Sequence, residues 1–255
     1  MKTPRFFKTA GVFILVVVLG LAVRPAFAAR QEKGPDQDVK AKIEESFKQS
    51  GLLLGNDIQV AIANKTVTLT GTVRTLAQRE QAGQAAQAAA KGYKITNNLT
   101  LASVQLSPRE ISDGIMAAIN QSPSYFVFDV VGVDVTPEGE VTLQGWTSYP
   151  WSANDFVKLA MAQPGVSKVN NGIQRPMLMD SDRYLRNRVA QLIYIRPMGI
   201  NFNRMNGRVH IYVNNGVVTL AGVVEKEADA ENYERLVRLN TGALSVVNGL
   251  QVRKK

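Results

Sequence analysis

His210 is the only histidine in the chain, and no cysteine accompanies it. One imidazole without thiol partners makes no convincing metal site, and no fixed serine or cysteine stands beside it to form a nucleophilic pair. Carboxylates are plentiful. Glu44, Glu45, Glu225, Glu227 and Asp229, however, fall on helical surfaces or helix starts, where they suit solvation and the positive end of a helix dipole. No phosphate-loop or dinucleotide glycine pattern occurs. These residues point away from catalysis and imply no cofactor.

Residues suited to adhesion are concentrated in two places. From Tyr194 to His210, Arg196, Arg204 and Arg208 alternate with Met198, Ile200, Phe202 and Met205. Arginine holds phosphate through parallel hydrogen bonds, and the apolar side chains suit the boundary between headgroups and acyl chains. On the helix expected before this stretch, Leu185, Val189 and Ile193 form the core stripe, so Arg183 and Tyr194 are expected on the opposite, solvent side. Arg183, Tyr194, Arg196, Phe202, Arg204 and Arg208 are therefore the candidate contacts for an anionic phospholipid surface. The plainer alternative has Ile200 and Phe202 filling a core and the arginines merely solvated. The second place is Gly145 to Ser152, which holds both tryptophans: Trp146, Tyr149 and Trp151 flank a strand-to-helix turn. They either anchor a partner protein or a bilayer interface, or they cover the end of the core; packing, within the module or against its neighbour, is the plainer reading.

A unit written three times must position these residues. Val67-Thr-Leu69-Thr-Gly71, Val141-Thr-Leu143-Gln-Gly145 and Val218-Thr-Leu220-Ala-Gly222 each alternate like a strand with one buried face. Their glycines lie 74 and 77 residues apart, and a fixed period is evidence about architecture. The second asparagine of Asn97-Asn98, the second of Asn170-Asn171, and Asn248 follow those glycines by 27, 26 and 26 residues. An earlier strand precedes each glycine run: Asp57 to Ala63, Phe128 to Val135 and Arg208 to Val213. Hairpin signals lie between, the strongest being Asn215-Gly216. Gly71, Gly145 and Gly222 are read as structural, letting the strand leave the sheet and turn into a helix.

Before each hairpin a helical stripe is expected: Val39, Ile43 and Phe47; Ile111, Ile115 and Ile119; Leu185, Val189, Leu192 and Ile193. After each glycine a second helix is expected, over 76–91, 152–163 and 226–240, and then a closing strand over 94–101, 167–174 and 245–252. The predicted class is α+β: three tandem two-layer modules over 36–104, 107–175 and 180–253. Each runs helix-strand-strand-helix-strand with a three-stranded mixed sheet. At about 70 residues each module is marginal alone, so packing between modules is expected.

The first 28 residues read as an export signal. Lys2, Arg5 and Lys8 precede an apolar run from Gly11 to Val23, and Ala26-Phe27-Ala28 predicts cleavage before Ala29. The run is shorter than the about 20 residues that span a bilayer. Without this segment the chain has 26 Lys+Arg against 21 Asp+Glu, a net of +5. Residues 29–105 carry +3, residues 106–176 carry −3 and residues 177–255 carry +5, so the last third is the part suited to an anionic surface.

The V-x-L-x-G strand, the alanine-rich helix behind it and the closing strand with its asparagine together resemble the BON domain family, named for bacterial osmotically inducible and nodulation proteins. The resemblance covers nearly all of 36–253. It implies an exported, usually periplasmic, non-enzymatic domain that binds phospholipid membranes and supports the envelope under osmotic or other stress. It also implies attachment to pores, secretins and other envelope proteins. The expected partners are thus an anionic phospholipid surface first and envelope proteins second, as for a scaffold or chaperone. Export argues against nucleic acid as a partner of the basic third module.

Overall fold

The structure is a computed structural model and describes residues 34–175, 177–195 and 209–253. The expected export signal lies outside these residues, as do Arg196, Phe202, Arg204 and Arg208.

The first module opens with α1 (Pro35–Gln49), whose stripe places Ile43 and Phe47 fully out of solvent. The hairpin β1 (Asp57–Ala63) and β2 (Thr66–Val73) follows. Its two-residue turn, Asn64-Lys65, takes φ of 49° and 55°, the left-handed pair that matches strand twist. Next comes α2 (Leu76–Ala89), begun by a reciprocal cap between Thr75 and Gln78. Its buried alanines, Ala82 and Ala86, with Ala90 just beyond, let α1 come close. The closing strand is split into β3 (Lys94–Asn97) and β4 (Thr100–Leu101), both parallel to β2, with Leu99 buried between them.

The second module repeats this order with α3 (Pro108–Gln121), β5 (Val130–Val135), β6 (Glu140–Trp146), α4 (Pro150–Ala162) and β7 (Lys168–Gln174). The third has α5 (Asp180–Ala190), β8 (Val209–Asn214), β9 (Val217–Val224), α6 (Glu227–Asn240) and β10 (Ser245–Val252). In every sheet the glycine-bearing strand is central, antiparallel to its hairpin partner and parallel to the closing strand. The predicted α+β class holds, with three three-stranded mixed sheets in three repeated modules.

Two details of the repeat differ from the expectation. The glycines do not end their strands: β2 runs two residues past Gly71, and β9 two past Gly222. Gly71, Gly145 and Gly222 have φ of 111°, 121° and 118°. A Cβ on Gly71 would fall on the Asp57 carbonyl oxygen, and one on Gly145 on that of Val130. The requirement is thus a close approach of the neighbouring strand in mid-ladder, more than an exit from the sheet. The asparagine equivalent to Asn171 and Asn248 is Asn97 and not Asn98. Leu69, Leu143 and Leu220 face Asn97, Asn171 and Asn248 across the parallel ladder, so the offset from the glycine is 26 in all three. Each of these asparagines accepts, through Oδ1, from the amide two residues on. Asn97 and Asn248 also donate to the carbonyls of Arg79 and Ala230, tying the closing strand to the helix above it.

The modules interlock. Leu76, at the start of α2 in the first module, is 5% exposed and packs in the second module's core with Ile111, Phe156 and Ala160. Val127, just before β5, lies in the third module's core, and its carbonyl accepts from the Ile211 amide at 2.7 Å.

Candidate binding surface at the seam of the second and third modules

The segment from Tyr125 to Asp129 precedes β5 and lies alongside β8. Its backbone is held by Asp129, which is fully buried and accepts from the Phe126 and Ser148 amides at 2.8 and 2.6 Å. Burial pushes its carboxyl above the ordinary aspartate range, although those backbone bonds and the nearby Arg186 pull the other way. Asp129 thereby clamps the strand-to-helix turn at Ser148 to the incoming strand.

Aromatic side chains line this seam. Trp146 stacks on Tyr212 of β8, with centroids 3.9 Å apart and planes 9° apart. His210 is 6% exposed; it stacks on Tyr125 at 4.3 Å, and its Nδ1 lies 3.1 Å from the Phe126 carbonyl. Its role is thus to join two modules, and among the described residues no group of His, Cys, Asp or Glu could hold a metal ion. Further out, Phe126 meets Tyr149 edge-on at 4.9 Å, and Tyr149 stacks on Trp151 at 4.7 Å. Trp151 remains 53% exposed and Tyr149 41%. The aromatic cluster expected to pack is therefore divided: Trp146 packs against the neighbouring module, whereas Trp151 corrects the packing expectation. It occupies the second position of α4, the place of Ala77 in α2 and Ala228 in α6, where a large ring extends beyond the core.

The expectation for Tyr194 is also corrected. It is 6% exposed, and its hydroxyl donates to the Val209 carbonyl. Burial raises its pKa. The reason is local. After α5 the chain widens into a π-helical turn over Gln191–Ile195, and the wider turn shifts the stripe so that Tyr194 points inward beside Ile193. Tyr194 is thus removed from the solvent face. Arg183 does face solvent, in an ion pair with Asp180 at 3.2 Å.

The signals that pointed to the loop after α5 missed Arg186 and Arg175. Arg186 lies over the Phe128 ring, 4.2 Å from its centroid. Its Nε is buried and has no hydrogen-bond partner among the described residues. Burial, and then the nearby charge of Arg183, lower its pKa, while Tyr149 and Asp129 act in the opposite sense. Arg175, Arg183 and Arg186 line a cavity of about 200 Å³ with Phe128, Trp146 and Tyr212. A sequence signal did exist: Arg183 and Arg186 stand three apart on α5, hence on one face. Their partner, Phe128, comes from another module, which spacing along the chain does not reveal. No helix among the described residues is long and apolar enough to cross a membrane.

The family model of the BON domain matches residues 35–103, 109–176 and 200–254. Among solved structures, the chain is similar to the C-terminal domain of CdsD, the structural protein of the type III secretion system of Chlamydia trachomatis. The identity is 13%, over 85% of this chain and 98% of that one, with a TM-score of 0.24. It is similar also to the PrgH periplasmic domain, at 12% identity over 80% of this chain and 100% of that one, with a TM-score of 0.22. At those scores the likeness says nothing about what this chain does. No curated protein matches it.

Proposed function

The chain belongs to the BON domain family, and on that premise we propose that it is an exported, periplasmic envelope-maintenance protein that adheres to anionic phospholipid under osmotic or other envelope stress. The family is non-catalytic in general, and the reading assigns this chain adhesion in place of chemistry. The observation that carries it is the juxtaposition at one seam of exposed aromatic rings, Tyr149 and Trp151, with the arginines of α5. Tyr149 directly follows Ser148, which lines the same cavity as Arg183 and Arg186. Aromatic rings with a polar edge settle at the headgroup level, and arginine pairs with phosphate. Arg196, Phe202, Arg204 and Arg208 would extend this contact, and the basic last third of the chain would draw it to the surface. The leader at 1–28 would be cleaved before Ala29.

The test is co-sedimentation of the full chain with vesicles of phosphatidylglycerol and phosphatidylcholine across a salt series. Binding should need phosphatidylglycerol and weaken with salt, because exposed charges are screened over about 10 Å at 0.1 M. Trp151→Ala with Tyr149→Ala should reduce it several-fold, as should the triple change of Arg196, Arg204 and Arg208 to alanine. Binding unchanged in both variants would overturn the reading. A second reading, a scaffold for envelope proteins, is favoured by the same aromatic stack, since clustered Tyr and Trp are common anchors of protein interfaces. It would show as protein capture that persists without lipid and is lost with Trp151.

A further inference from the structure

Arg186 is placed where a cation is expensive. The residue is part-buried, its Cζ lies over the Phe128 ring, and its Nε has no bond among the described residues. A buried donor without a partner has given up its bond to water and regained nothing in the protein. A guanidinium carries N–H pairs that suit a two-oxygen acceptor, and the Phe128 ring beneath Arg186 limits where it can turn. Arg183, one turn earlier on the same face of α5, and Arg175, just past the end of β7, line the same cavity.

The carboxylates nearby are already occupied. Asp129 is taken by two backbone amides, Asp182 by the amides of Asn215 and Gly216, and Asp180 by Arg183. They offset the positive charge at long range, yet their bonds are directed elsewhere. The remaining walls include Thr147 and Ser148 and, as flat apolar surfaces, Trp146 stacked on Tyr212 and Phe128 under Arg186.

We propose that this cavity between the second and third modules is a binding site for a small oxyanion carried on a flat apolar body, such as an aryl carboxylate. The oxyanion pairs with Arg186 and Arg175, and the apolar body lies along Trp146. The ligand binds the two modules at once, so its occupancy strengthens their docking. The cavity shares the arginines of α5 with the membrane reading, but Tyr149 and Trp151 do not line it, so loss of vesicle binding with those rings and loss of benzoate binding with Arg175 are separate outcomes.

The experiment uses the full chain and benzoate as the probe, followed by calorimetry and by the emission of Trp146 in a Trp151→Phe background. Saturable benzoate binding, with neutral benzamide at least tenfold weaker, is the expected result. Arg186→Gln and Arg175→Gln should each weaken benzoate at least tenfold, whereas Arg235→Gln, on α6 away from the cavity, should not. Because Arg186 is packed, Arg175→Gln decides alone if Arg186→Gln fails to fold; Arg175 is exposed. Two competitors then identify the source of the anion. Inorganic phosphate that displaces benzoate shows that the site takes oxyanions generally. Phosphatidylglycerol vesicles that displace it show a lipid headgroup, and failure of the vesicles to compete shows a soluble acid. Equal binding of benzoate and benzamide, no binding of benzoate or phosphate, or full binding by Arg175→Gln would overturn the proposal.

Discussion

At the scale of single residues, the two most repeated features of the chain are those the ladder cannot change. Gly71 has φ of 111° and no room for a Cβ beside the Asp57 carbonyl. Gly71→Ala should cost roughly 3 kcal/mol or more, through strain and displacement of β1, read as a shift in the urea unfolding midpoint. A change under about 0.5 kcal/mol, as for ordinary surface substitutions, would refute that account. The glycine and the asparagine were legible because they recur; their geometry was not, because the close approach comes from a strand 14 residues earlier. Asp129 was not legible at all, since it occurs once and its burial depends on the turn at Ser148. Its folded pKa is raised above the ordinary 3.8. The folded chain therefore holds that proton more tightly than the unfolded chain does. The stability it contributes is full below the unfolded pKa and is lost as pH rises through the folded pKa. Carbon-13 titration of the Asp129 carboxyl should give a midpoint above 3.8, and a midpoint at or below it would contradict the assignment.

Among the elements, the helices were largely readable from their stripes and caps. Ser107-Pro108-Arg109-Glu110 marks the start of α3, and the reciprocal bonds of Ser107 and Glu110 are present there. They hold the Glu110 carboxyl below the usual range. The stability this gives is present above the unfolded pKa and fades as pH falls through the lowered one. Thr75 caps α2 in the same way, and Thr75→Ala should cost about 1 kcal/mol, measured by thermal or urea unfolding; an unaltered midpoint would show the cap to be idle. The third module's first helix marks the limit of stripe reading. Leu185, Val189 and Ile193 do form the buried face, but that period assumes an unbroken α-helix. The π-helical turn at Gln191–Ile195 adds width that no composition signal announces, and it is this turn that takes Tyr194 inside.

The modules of the whole molecule do not stand as independent beads. Leu76→Ala, a change within the first module, should destabilise the second by about 2–5 kcal/mol, because the cavity opens among Ile111, Phe156 and Ala160. Hydrogen exchange read by mass spectrometry should show faster exchange in β5 and β6, with β1 and β2 less affected; the opposite pattern would place Leu76 in its own module's core. The docking of modules was expected from their small size, but its means was not, since Val127, Phe128 and His210 look like ordinary strand residues until another module is placed beside them. The lending of Leu76 and Val127 has a consequence for the history of such a chain. Recombination that excises the middle copy, or reorders the three, strands a leucine at one cut and leaves a socket empty at the other. Duplicates with this arrangement have ceased to be interchangeable parts, and each is inherited only in the company of its neighbour.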